Sequence, residues 1–76
     1  MKLNPIKTNM TELNLDGVSV LFSYETPVAG FDEQGAFRTS EHYSATTTRH
    51  VNQYLGGKTI GRKVSPEFIR NLVESK

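Results

Sequence analysis

Apolar residues in this chain follow two alternating runs and then two helical stripes. In Leu13-Asn14-Leu15-Asp16-Gly17-Val18-Ser19-Val20-Leu21-Phe22-Ser23-Tyr24 they recur at every second position on either side of Asp16-Gly17. Asp-Gly between such runs predicts a hairpin with a two-residue turn, because both central positions take positive φ. Closing the turn at Leu15 and Val18 sets Leu13 opposite Val20 and puts all four on one face with Phe22 and Tyr24. Ser19 and Ser23 point the other way, to a face the pattern leaves mostly solvated, with Leu21 its only bulky residue.

Glu25-Thr26-Pro27 breaks this strand, since proline cannot donate to a central ladder. A second hairpin is expected from 28–31 and 36–40 around Asp32-Glu33-Gln34-Gly35. A three-residue loop with Gly35 left-handed places Phe31 opposite Phe37 as an aromatic pair. The period then changes. Val51, Tyr54 and Leu55 stand at i, i+3, i+4 on one side of a short helix over 46–55. One of Thr46, Thr47 and Thr48 serves as its cap, and Gly56-Gly57 as its stop. Residues 58–64 read as loop or a brief strand. Ser65-Pro66 opens a second helix whose stripe is Phe68, Ile69, Leu72 and Val73. The fold class that follows is α+β: a small antiparallel sheet of about four strands in two hairpins, followed by two short helices packed on its one apolar face. Residues 1–76 form a single domain, with 1–10 an edge strand or a flexible arm.

Size makes this core necessary in full. A chain of 76 residues buries only about 60% of the surface it exposes when unfolded. The absence of cysteine excludes a disulfide framework, a thiolate nucleophile and any Cys-based metal site. No apolar run approaches the length of a membrane span, and MKLNPIKTNM lacks the apolar stretch of a signal peptide, so a cytoplasmic location is expected. The net charge of +1 conceals a segregation. Residues 11–41 hold Glu12, Asp16, Glu25, Asp32, Glu33 and Glu41 against Arg38 alone. Residues 42–66 hold Arg49, Lys58, Arg62 and Lys63 with no acid, and add His42 and His50. Such asymmetry marks a surface that faces a charged partner, or simply a sheet with acids outward and helices with bases outward.

Candidate chemistry is sparse. Gly57-Lys58-Thr59 has the ending of a phosphate-binding loop, but Asn52 stands where the motif needs its first glycine, and a helix precedes it where a strand should. A helix stop is the better account. Thr46, Thr47, Thr48, Arg49 and His50 gather hydroxyls and positive charge at a helix start, where free N–H groups attract an anion; ordinary capping explains the same residues. His42 and His50 lack a third ligand for zinc. No catalytic constellation emerges, so the chain reads as a non-enzyme with no cofactor and no metal.

The segments Ser23-Tyr24-Glu25-Thr26-Pro27-Val28-Ala29 and 43–57, YSATTTRHVNQYLGG, resemble a group of short, uncharacterised proteins of tailed bacteriophages, over residues 11–57. The resemblance implies a source and no mechanism: a phage accessory protein in the cytoplasm of an infected bacterial host. The expected function is binding a host or phage protein and inhibiting or modulating it, as in host takeover or anti-defence of the anti-CRISPR kind. The expected contact surface is the 46–55 helix with the basic 58–63 loop, carried by Thr46, Thr47, Thr48, Arg49, His50, Gln53, Lys58, Arg62 and Lys63. The alternative is a small nucleic-acid-binding regulator using the same bases against phosphates. No membrane partner is expected, and the chain is a monomer or a homodimer, the latter through an edge strand.

Overall fold

The computed structural model describes residues 2–75. Its elements run β1 (Lys2–Lys7), β2 (Met10–Leu15), β3 (Val18–Ser23), β4 (Thr26–Asp32), β5 (Gly35–Thr39), α1 (Ala45–Leu55), β6 (Arg62–Val64) and α2 (Pro66–Ser75). The strands form one sheet in sequence order, antiparallel from β1 to β5, with β6 parallel to β5. The class is therefore α+β as predicted, but the sheet is mixed and has six strands instead of about four. Residues 2–7 supply one extra strand, so the N-terminal segment is an edge strand and not an arm. The other arises because α1 carries the chain back along the sheet, the kind of crossover a parallel pair requires. No helix among the described residues is long and apolar enough to cross a membrane.

The Asp16-Gly17 hairpin forms in the predicted register, with Leu15 opposite Val18 and Leu13 opposite Val20. The second hairpin is shifted by one residue. Gly35 is left-handed as expected, at φ 103°, yet it pairs with Asp32, so Phe31 faces Ala36 and Gly30 faces Phe37. The cause is tertiary: the Phe37 ring crosses Gly30, where a Cβ would lie 2.6 Å from Phe37 Cζ and 2.0 Å from the Ser19 carbonyl oxygen. A one-residue shift moves side chains to the other face, and the expected Phe31–Phe37 pair does not form.

The helices lie on opposite faces of the sheet, not together on one. Successive strand residues point to opposite sides. Val20 packs with Leu13, Val18, Phe37 and Ile69 of α2, whereas Leu21 packs with Met10, Val28, Ala29 and with Val51 and Leu55 of α1. A register shift between Leu21 and Phe22 brings both Val28 and Ala29 into the α1 cluster, giving this face an apolar centre that strict alternation conceals. Tyr24 also departs from expectation. Its φ of 58° just beyond β3 takes it off the α2 face, and its ring lies 5.9 Å from that of His50 in α1. The cap of α1 is Ser44, not a threonine: its hydroxyl accepts the Thr47 N–H at 3.1 Å. Gly56 ends α1 left-handed, and the Ser65 hydroxyl accepts the Phe68 N–H at 3.1 Å to open α2, both as predicted.

Candidate functional site

Between α1 and the sheet runs a seam of polar side chains that satisfy one another. Ser23, expected in solvent, is 1% exposed and His50 7%. Ser23 Oγ lies 2.8 Å from His50 Nδ1 and 3.0 Å from Thr47 Oγ1. A hydroxyl against an imidazole is the arrangement of an activated nucleophile; here both side chains are buried between α1 and β3. Their role is to dock the helix. Burial holds the His50 pKa below the ordinary histidine range, and the nearby Lys7 charge adds to the effect. Further along α1, the Tyr54 hydroxyl donates to Glu12 Oε2 at 2.6 Å. Burial first, then the Glu12 carboxylate, raise the Tyr54 pKa far above its usual value.

Arg38 closes the seam at the C-terminal end of α1. It is 9% exposed and donates to the Ile60 carbonyl at 2.8 Å, Asn52 Oδ1 at 3.0 Å and the Gly57 carbonyl at 2.7 Å. A cation at the negative end of a helix dipole, bonded to carbonyls, is favourably placed. The residue that looks in the sequence like a lone base among acids is the staple of the α1–β6 connection. The only sequence sign of it is the helix stop at Gly56-Gly57, past which backbone carbonyls have no intrahelical partner.

The residues predicted for partner or anion binding divide by environment. Thr46, Arg49, Gln53 and Lys58 are exposed on the outer side of α1 and the turn after it. Thr47 and His50 belong to the buried seam. Thr48 donates its hydroxyl back to the Ser44 carbonyl at 3.0 Å, and so does not present it at the helix start. Arg62 bonds Asp32 at 2.6 Å and lies 5.8 Å and 5.9 Å over the rings of Phe37 and Phe68. This contact holds the Asp32 pKa below the usual carboxylate range. Lys63 lines a depression of about 200 Å³ between β5 and α1, with Arg38, Glu41, His42, Tyr43, Thr47 and Thr48. His42 and His50 have separate neighbours, Thr48 and Ser23. Among the described residues no group of three or more His, Cys, Asp or Glu is placed to hold a metal ion.

The feature that sequence reading left undecided is β1. Leu3 is 63% exposed and Ile6 47%, on a strand that among the described residues pairs with β2 alone. Lys7 reaches across to Gln53 of α1, Nζ to Oε1, which ties the end of the strand to the outer side of the helix.

No curated protein and no solved structure matches the chain. Residues 1–71, from β1 through most of α2, match a family of unknown function, DUF8033, and the chain belongs to that family.

Proposed function

We propose that this is a non-enzymatic, phage-type accessory protein that binds a host or phage protein in the cytoplasm of an infected bacterium and inhibits or modulates it, in host takeover or anti-defence. The observation that carries the reading is the open β1 edge, where Leu3 and Ile6 stand in solvent and Lys7 reaches Gln53 on the exposed side of α1. Apolar side chains on an open sheet edge, bordered by polar ones, are the signature of an interaction surface. The enclosure of the Ser23–His50 pair supports a binding role over a hydrolytic one. The phage attribution rests on the resemblance of the two segments, which fall at the β3–β4 junction and over α1. A nucleic-acid regulator is the weaker reading, because Arg62, one of its four central bases, is already paired with Asp32.

The test is a tagged pull-down from bacterial lysate with and without nuclease, comparing the native chain with Arg49→Glu/Lys58→Glu. One protein held in stoichiometric amount despite nuclease, and lost from the double variant at unchanged melting temperature, is the expected result. Proteins that all disappear on nuclease treatment would replace this reading with the regulator. A native chain that retains nothing overturns it.

A further inference from the structure

We propose that the outer edge of β1 binds an extended peptide segment of its partner, one with apolar side chains in the middle and acidic residues at its ends, added to the sheet as a further strand. The inference rests on the protein-binding reading and names the partner's chemistry and the strand it engages.

β1 is the outermost strand of the sheet, and its outer side has no strand beside it among the described residues. The opposite edge is β6, three residues long against six in β1. A short edge strand is a protected one; a long edge bearing exposed Leu3 and Ile6 is a template for pairing. Main-chain hydrogen bonds would supply affinity there, and side chains at alternate positions the selectivity.

Charge decides the occupant. β1 carries Lys2 and Lys7 near its two ends and no acid. The acid across the strand pair is Glu12, opposite Asn4. Both of its oxygens are already engaged, one by Tyr54 at 2.6 Å and the other by Asn14 at 3.2 Å. Those neutral donors leave Glu12 its charge, but on β1 itself the two charged side chains, one near each end, are both positive. A second copy of this chain is the wrong partner: antiparallel pairing about the strand centre sets Lys2 against Lys7 twice, and like charges directly opposite destabilise a strand pair. Pro5 removes one backbone donor from the strand, which further weakens indiscriminate pairing. Acids at both ends of a partner strand convert the same two positions from repulsive to attractive.

The experiment pans a library of short random peptides on the full chain and maps the enriched pool by amide NMR shifts. Sequences with alternating β-branched residues flanked by acids, with shifts concentrated at residues 2–7, are the expected outcome. Reversing both lysines, Lys2→Glu/Lys7→Glu, should leave the chain folded with the same amide NMR pattern outside β1 and its contact with α1, weaken those peptides about tenfold or more, and enrich basic-flanked sequences in their stead. Enrichment of sequences without acidic flanks, shifts confined to α1 or the β5 end, no enrichment, or a dimer formed through β1 without peptide would each overturn the proposal. The lysate pull-down separates the two levels. A partner still retained in full by Lys2→Glu/Lys7→Glu sinks the strand-addition proposal and leaves the protein-binding reading standing, whereas a native chain that retains no partner sinks the reading itself.

Discussion

The two sides of the sheet are built on different principles. The α2 side is dry: Leu13, Val18, Val20, Phe37 and Ile69 pack together, with Leu15, Phe22, Val64, Leu72 and Val73 around them. At its rim Arg62 spreads over Phe37 and Phe68 and is paired with Asp32. The α1 side has an apolar centre of small and medium side chains, and its border is hydrogen-bonded: Ser23 with Thr47 and His50, Arg38 with three acceptors, Tyr54 with Glu12. Apolar contact is nondirectional, so the α2 side tolerates small shifts of the helix. A polar network is satisfied in one arrangement only, so the α1 side fixes where its helix sits. A domain this small needs both, and the helix held in a fixed place is the one whose outer side joins the exposed β1 edge.

The sharpest way to break the dry side is Phe37→Ala. Phe37 is fully buried, meets Phe68 edge-on at 5.9 Å and crosses Gly30. Removing the ring leaves a cavity at the centre of the α2 face, and a loss of about 3–5 kcal/mol is expected from urea unfolding. At this size, that approaches the whole stability of the domain. A loss smaller than that of the α1-side variant below would mean that the ring packing of the dry face matters less than the hydrogen bonds at the end of the seam.

Arg38→Met tests the other side. The apolar stem is kept and the donors vanish, leaving the acceptors of Asn52, Gly57 and Ile60 without their partner. Leaving such groups unsatisfied costs about 1–3 kcal/mol. The location of the effect is more telling than its size. Hydrogen exchange should quicken in the 56–61 segment first, whereas Phe37→Ala should loosen the whole sheet. A uniform increase across the sheet in the Arg38 variant would remove the distinction between the two faces.

The same contrast explains what could be read from the sequence. The Asp16-Gly17 hairpin and the Ser65-Pro66 helix start are legible because turn and cap chemistry is local. The α2 face is legible because its residues are apolar and alternate. The register of the second hairpin is not, since it depends on Phe37 lying across Gly30, a contact between strands. The α1 face is hidden for a stronger reason: Ser23, Thr47 and His50 look like solvent-facing residues and are buried only because they satisfy one another. Arg38 binds two backbone carbonyls and an asparagine, partners that no pattern of charges displays. Of the surface, Thr46, Arg49, Gln53 and Lys58 stand in solvent as expected, while Arg62 is diverted by Asp32, an acid far from it in sequence.

His50 gives the finest test, since it distinguishes the two sides by pH alone. It meets Ser23 of β3, which also bonds Thr47 of α1, the Tyr24 ring just after β3, and the Lys7 charge from β1. Burial and Lys7 both disfavour the imidazolium, so the folded pKa lies below the unfolded value of about 6.5. The unfolded chain then binds the proton more readily. The histidine's share of stability is complete above about pH 6.5 and is lost as pH falls from there toward the depressed native value. Asp32 acts in a separate window, since its pKa is depressed below the usual carboxylate range and its share is lost only in stronger acid. Between about pH 7.5 and about pH 5.5 the urea midpoint of the native chain should therefore fall. His50→Gln should be less stable at the upper pH and nearly flat across the interval, while Ile69→Val on the dry side should lower the midpoint equally at both ends. A native midpoint that does not move, or a slope that survives in His50→Gln, would show that the seam does not hold His50 neutral and that its polar contacts do not set the position of α1.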